Sequence, residues 1–116
     1  MIKIFFSYTL RDKNIDRAFL SSLRNWIINQ GYDCYIDLLD NNYNNKGFQK
    51  QLVSILKTCD IFFRIDSPEY LNSKWTKKEL KEAETNELQI VTMASDHLKI
   101  MMLNNESIEQ YLKMNQ

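Results

Sequence analysis

A chain of 116 residues has room for one hydrophobic core and leaves none for a second domain. Its 44% hydrophobic and 12% aromatic content, with only two Gly and one Pro, excludes a linker or a disordered tail. Fifteen basic side chains balance fifteen acidic ones, so there is no net positive field to gather nucleic acid or anionic lipid, and neither is an expected partner.

Lys3 to Tyr8 (KIFFSY) is a nearly continuous apolar run, the pattern of a strand buried on both faces of a parallel sheet. Asn14 to Gln30 follows at helical spacing, with Ile15, Ala18, Phe19, Ser22, Leu23, Trp26 and Ile27 expected inward and Gly31 as its stop. Tyr32 to Asp37 (YDCYID) is the second strand. The Asn-rich stretch within Leu38 to Lys46 is a loop, and Gly47 to Thr58 is a helix burying Phe48, Leu52, Ile55 and Leu56. Asp60 to Asp66 (DIFFRID) is the third strand, Ser67-Pro68 a turn or helix entry, Ser73 to Thr85 a helix, and Leu88 to Met93 (LQIVTM) the fourth strand. Beyond Ala94, Leu98 to Leu103 reads as a short fifth strand and Glu106 to Lys113 as a closing helix with Ile108, Tyr111 and Leu112 inward.

Strands alternating with helices imply a parallel sheet of four to five strands covered on both faces, with the site at the carboxyl ends of the strands. Those ends carry Ser7 and Tyr8, Asp37, Asp66 and Ser67, and Ala94 and Ser95. Cys34 and Cys59 each sit in an apolar run with no Cys or His grouping that could bind zinc, so both are expected as reduced core residues and no metal is expected. No apolar stretch approaches the roughly 20 residues of a membrane span, and Met1 leads directly into a strand pattern without a signal-peptide layout. The cytoplasm is the expected compartment. Lys74, Lys77, Lys78 and Lys81 read first as the solvated face of a helix and second as an anion site.

Four segments, in order, resemble a Toll/interleukin-1 receptor (TIR) domain. Phe5-Phe6-Ser7-Tyr8 with Arg11-Asp12 is similar to the family's first strand and loop. Gly31 to Asp37 resembles its second strand, and Lys46-Gly47 fits the end of the loop that follows. The most specific stretch is Ser67 to Leu80 (SPEYLNSKWTKKEL), similar to the family pattern of Ser-Pro, then Ser, then Trp with a Glu four residues on. The chain departs from the family in having Thr76 where Cys is frequent, and in a shorter region after the fourth strand.

The resemblance implies a flavodoxin-like α/β TIR fold over residues 1–116 and, by analogy with family members that cleave NAD⁺, a nucleosidase that breaks the nicotinamide glycosidic bond. Glu79 is then the catalytic carboxylate, with Tyr8, Arg11, Tyr35, Asp37 and Trp75 as substrate-binding residues. NAD⁺ is a substrate, and no cofactor is called for. Spacing agrees in one respect: Trp75 and Glu79 are four residues apart on a helix and share a face, so an indole can shield the acid. The resemblance further implies association with other TIR domains and, for a stand-alone chain rich in Asn, Lys and Ile, a bacterial antiviral system of the Thoeris kind that makes an ADP-ribose-derived signal.

Plainer readings compete. Thr76-x-x-Glu79 also fits a helix capping box, Trp75 a core aromatic, Tyr8 a packed ring, Arg11 a surface cation, and Asp37 or Asp66 a loop anchor. At the level of function, the rivals are a TIR scaffold that acts only by association, using the loop Leu38 to Lys46 and neighbouring helices, and a phosphoacceptor receiver domain with Asp66 as acceptor. The receiver lacks its paired acids here, because the first strand ends Ser7-Tyr8-Thr9. The lone histidine, His97, supports no nucleophile system.

Overall fold

The computed structural model describes residues 1–41 and 48–113, with side chains left out of the description at 48–50. The loop residues Asn42 to Lys46, Gly47 and the burial expected of Phe48 therefore lie outside the described residues. The chain runs β1 (Lys3–Ser7), α1 (Arg17–Asn29), β2 (Asp33–Ile36), α2 (Asp37–Asp40), α3 (Phe48–Lys57), β3 (Ile61–Asp66), a 3-10 turn (Tyr70–Asn72), α4 (Lys74–Thr85), β4 (Gln89–Ala94), α5 (Ser95–Leu103) and α6 (Glu109–Lys113). The four strands pair in parallel in the order β2-β1-β3-β4.

Alternate side chains of β1 and β3 serve two cores, which is why the runs Ile4 to Phe6 and Ile61 to Phe63 carry no polar position. Ile4 and Phe6 of β1 and Ile61, Phe63 and Ile65 of β3 face α1, α5 and α6, where they meet Leu20, Leu23, Ile27, Leu98, Met101, Ile108 and Leu112. Phe5 and Phe62 face the opposite way, onto Leu52 and Leu56 of α3 and Ala83 of α4. Phe5 lies between two rings, Tyr35 and Phe62, each with its centroid 5.4 Å away. Helices on both faces of a parallel sheet make this a flavodoxin-like α/β fold, as the alternation of elements implies.

The helix boundaries follow from local chemistry. Asp16 caps α1, its Oδ1 accepting the Phe19 N–H at 2.9 Å. Asp16→Ala leaves that amide unpaired, so the urea midpoint should fall by the equivalent of about 1 kcal/mol. Gly31, at φ 89°, ends the helix in the left-handed region that glycine enters at least cost. The phase of α1 differs in part from expectation. Leu20, Leu23, Trp26 and Ile27 form the buried stripe, Ala18 and Ser22 are exposed, and Ile15 is buried ahead of the first turn.

Three further expectations are corrected. The second strand ends at Ile36, and Asp37 opens a helical turn where a loop was expected. Asp40 holds that turn by accepting the Ile36 N–H at 2.7 Å and pairing with Arg24. The segment Leu98 to Leu103 is helical rather than a fifth strand. β4 ends at Ala94, and the few residues before Leu98 cannot make a parallel crossover, which takes a dozen or more. Burial of Leu98 and Met101 with Ile100 and Leu103 exposed is helical spacing. The closing helix does form, with Leu112 buried.

Both cysteines are buried and free. Among the described residues no helix is long and apolar enough to cross a membrane. Lys74, Lys77 and Lys81 are exposed, and the Lys78 ammonium lies 5.9 Å from the centre of the Trp75 ring, so this row is the solvated face of α4.

Candidate active site

The order β2-β1-β3-β4 changes direction at β1, and an open-sheet fold leaves its crevice where that happens, beyond the carboxyl ends of the strands. A cleft of about 390 Å³ lies there. Its walls are the first loop from Tyr8 to Arg11, Asp37 and Leu38 after β2, and Ser73, Trp75 and Glu79 from the start of α4. That volume is within the range of about 300 to 1,000 Å³ usual for small-molecule sites.

Glu79 forms part of the cleft wall yet is only 3% exposed. It sits in the second turn of α4, on the face that carries Thr76 and Ala83 into the protein. The Ser7 hydroxyl at the end of β1 donates to its Oε1 at 2.8 Å, and the Trp75 side chain is a second hydrogen-bond donor to the carboxylate. Behind Ser7, Tyr70 is fully buried with its phenolic oxygen 2.6 Å from Ser7 Oγ. When Glu79 is ionised the one Ser7 proton goes to the carboxylate, and Tyr70 is then the donor in that contact.

Burial pushes the Glu79 carboxyl up to about 8; the bonds from Ser7 and Trp75 pull the other way, and the charge of Asp37 adds to the rise. The acid therefore holds its proton at neutral pH in the open cleft, and any cation entering beside it favours its ionisation. The capping-box reading of Glu79 is corrected. Ser73 is the cap, accepting the Thr76 N–H at 3.3 Å, and the Thr76 hydroxyl turns back onto the Tyr70 and Ser73 carbonyls.

Glu79, Trp75, Asp37, Tyr8 and Arg11 meet in the cleft, while Tyr35 lies behind its wall. The Tyr35 hydroxyl donates to Asp37 Oδ1 at 3.0 Å, and its ring faces a separate small recess shared with Phe5 and Trp75. Asp37 also accepts from Asn41 Nδ2 at 3.0 Å, which fixes its position. The Tyr8 hydroxyl accepts the Leu38 N–H at 2.8 Å and so ties the first loop to the segment after β2. Arg11 stands at the rim with its side chain 58% exposed, 3.6 Å from Glu69. Asp66 lies outside the cleft, paired with Arg64 at 2.8 Å. His97 meets the Tyr111 ring edge-on.

The sequence places Ser7 among the strand-end residues where the site is expected but gives no sign of its bond to Glu79, and it does not single out Tyr70. The only available signal was that Ser7 closes a strand, where side chains gather at the site. Among the described residues no group of three or more His, Cys, Asp or Glu is arranged to hold a metal ion.

Parallel topology, a cleft at the carboxyl edge of the sheet and a sequestered acid in its wall define an α/β domain of the flavodoxin-like class. The TIR domain family model matches residues 4–112, and the chain belongs to that family. None of the curated proteins compared with the chain matches it. TIR domains commonly self-associate or bind other TIR domains.

Proposed function

We propose that this TIR domain binds NAD⁺ in the cleft and cleaves the bond between nicotinamide and ribose, with Glu79 as the catalytic carboxylate. The observation that carries the reading is an acid almost wholly withdrawn from water that still forms part of the wall of an open cleft. Desolvated acids next to a cavity are characteristic of sites that stabilise charge. Asp37 makes the wall electronegative, which suits a substrate whose nicotinamide ring is cationic, and that ring in turn favours the charged form of Glu79.

Nicotinamide departs as a neutral molecule, so the leaving group requires no proton. Positive charge passes to the ribose carbon, and the ionised Glu79 stabilises it while accepting hydrogen bonds from the ribose hydroxyls, until water bonds to that carbon and releases a proton to give ADP-ribose, or a ring nitrogen bonds there to give a cyclised or base-exchanged product. Trp75 supplies an apolar wall and a donor that orients the acid. Tyr8 braces the first loop. Arg11 reaches the pyrophosphate once it leaves Glu69, and Tyr35 acts through Asp37. The resemblance to family members of the Thoeris kind extends the proposal to an ADP-ribose-derived signal in bacterial antiviral defence.

The test is incubation with NAD⁺ and chromatography for nicotinamide and for ADP-ribose, its cyclised isomers or base-exchange products. The pH dependence is specific. Because the free site holds its proton until about 8, kcat/KM should rise with pH up to that region. The acid limb of kcat should lie at lower pH, since the bound pyridinium favours the carboxylate. A kcat/KM that stays flat from pH 6 to pH 9 would contradict the role given to Glu79.

Association is a second reading with support of its own. Ile100 and Leu103 on α5 are 55% and 85% exposed, an apolar face suited to a scaffold contact. Of the loop from Leu38 to Lys46 offered for that role, only the part up to Asn41 is among the described residues.

A further inference from the structure

Tyr70, Ser7 and Glu79 form an unbroken chain of hydrogen bonds at 2.6 Å and 2.8 Å, drawn from the 3-10 turn, β1 and α4. Tyr70 and Ser7 are both 0% exposed, so in the folded protein neither hydroxyl can exchange its partner for bulk water. The far end of the chain is anchored as well. The Arg64 guanidinium lies 4.4 Å from the centre of the Tyr70 ring and is itself held by Asp66. Hydroxyls buried this completely are kept where their hydrogen bonds matter, because each one left unpaired is costly.

We propose that Ser7 and Tyr70 are positioning residues for Glu79: a buried hydroxyl relay that orients the carboxylate toward the cleft and sets the pH at which it ionises. The inference rests on the proposed function for its consequence in turnover, but not for its effect on the acid itself. Serine and tyrosine each donate and accept, so the relay serves both states of Glu79. With the carboxylate ionised, Tyr70 donates to Ser7 and Ser7 to Oε1. With Glu79 protonated, Ser7 can still donate to the carboxyl oxygen that lacks the proton, a weaker acceptor than the carboxylate, so the relay favours the ionised form. The other groups that bear on the acid are Trp75 on α4 as donor, Asp37 at the start of α2 as a like charge and Tyr35 of β2 beside it; Arg64 and Asp66 of β3 act through Tyr70. The hydroxyl relay, unlike Asp37, can be removed without altering a formal charge, and unlike Trp75 and Tyr35 it takes no part in the cleft or recess walls.

The experiment follows the Glu79 carboxyl carbon by NMR titration in the wild type, Ser7→Ala, Tyr70→Phe and Ser7→Thr, alongside kcat for NAD⁺ cleavage from pH 6 to pH 10. Ser7→Ala should move the titration and the acid limb of kcat upward by about one pH unit, about a tenfold loss of turnover at the acid end that narrows as pH rises. Tyr70→Phe, which keeps the ring under Arg64, should give a smaller shift in the same direction, and Ser7→Thr should restore the wild-type limb. A residue needed only for folding would lower kcat equally at every pH and leave the titration in place. That outcome, in Ser7→Ala and Tyr70→Phe together, overturns the relay. If the wild type does not cleave NAD⁺, the proposed function fails, and the titration alone still decides for or against the relay.

Discussion

Glu79→Gln should lower NAD⁺ turnover at least a hundredfold while leaving the fold intact. Glutamine has the same shape and keeps an oxygen to accept the Ser7 hydroxyl, now at 2.8 Å from Oε1, so the packing of α4 against β1 has no reason to change. Only the capacity for negative charge is lost. One preorganised interaction with a developing charge is worth about 3 to 4 kcal/mol in a water-poor site, or two to three orders of magnitude in rate. The loss should fall on kcat, since the carboxylate acts chiefly when the ribose carbon turns cationic. Nicotinamide release measured by chromatography, with circular dichroism as the control for folding, decides the matter. A variant that cleaves NAD⁺ within a few fold of wild type would remove Glu79 from the chemistry and leave the associating domain as the better reading.

How much of this was legible in the sequence depended on the range of the interactions involved. The apolar runs KIFFSY and DIFFRID announce strands covered on both sides, because a strand between two layers of helices has no wet face to record. Trp75 and Glu79 were legible as a pair because one helix carries both and the family pattern marks their spacing. Ser7 was legible as a strand-end residue, but its links to Glu79 and Tyr70 were not, because they span 72 and 63 residues of chain and no local pattern encodes such a meeting. The pairing of Arg11 with Glu69 was hidden for the same reason. The segment after Ala94 was misread on different grounds. Its apolar run suits either a strand or a buried helix by composition, and the length of the connection was the observation that could have separated them. At Asp37, the strand's hydrophobic signal ran on to an acid that begins the next turn instead.

Folding stability should decrease as pH rises from about 5 to about 8, and Glu79→Gln should flatten that decrease. The unfolded chain releases the Glu79 proton near 4.5, whereas the folded protein keeps it until about 8. Between those values the folded state binds one proton more than the unfolded state, so raising the pH favours unfolding. The stabilisation is complete below 4.5 and is lost as pH climbs through about 8. For a group 3% exposed the displacement corresponds to roughly 5 kcal/mol, comparable with the whole stability of a domain this size. Urea midpoints for wild type and Glu79→Gln at intervals from pH 5 to pH 9 isolate the contribution, since every other titrating group is common to both chains. Equal slopes in the two would mean that Glu79 is not desolvated as the cleft implies. NAD⁺ should oppose the decrease in the wild type, because its cationic ring stabilises the ionised acid, and should do so much less in the variant. A domain that only adheres to its neighbours has no use for a destabilising acid at this position; a site that must meet positive charge at the ribose does.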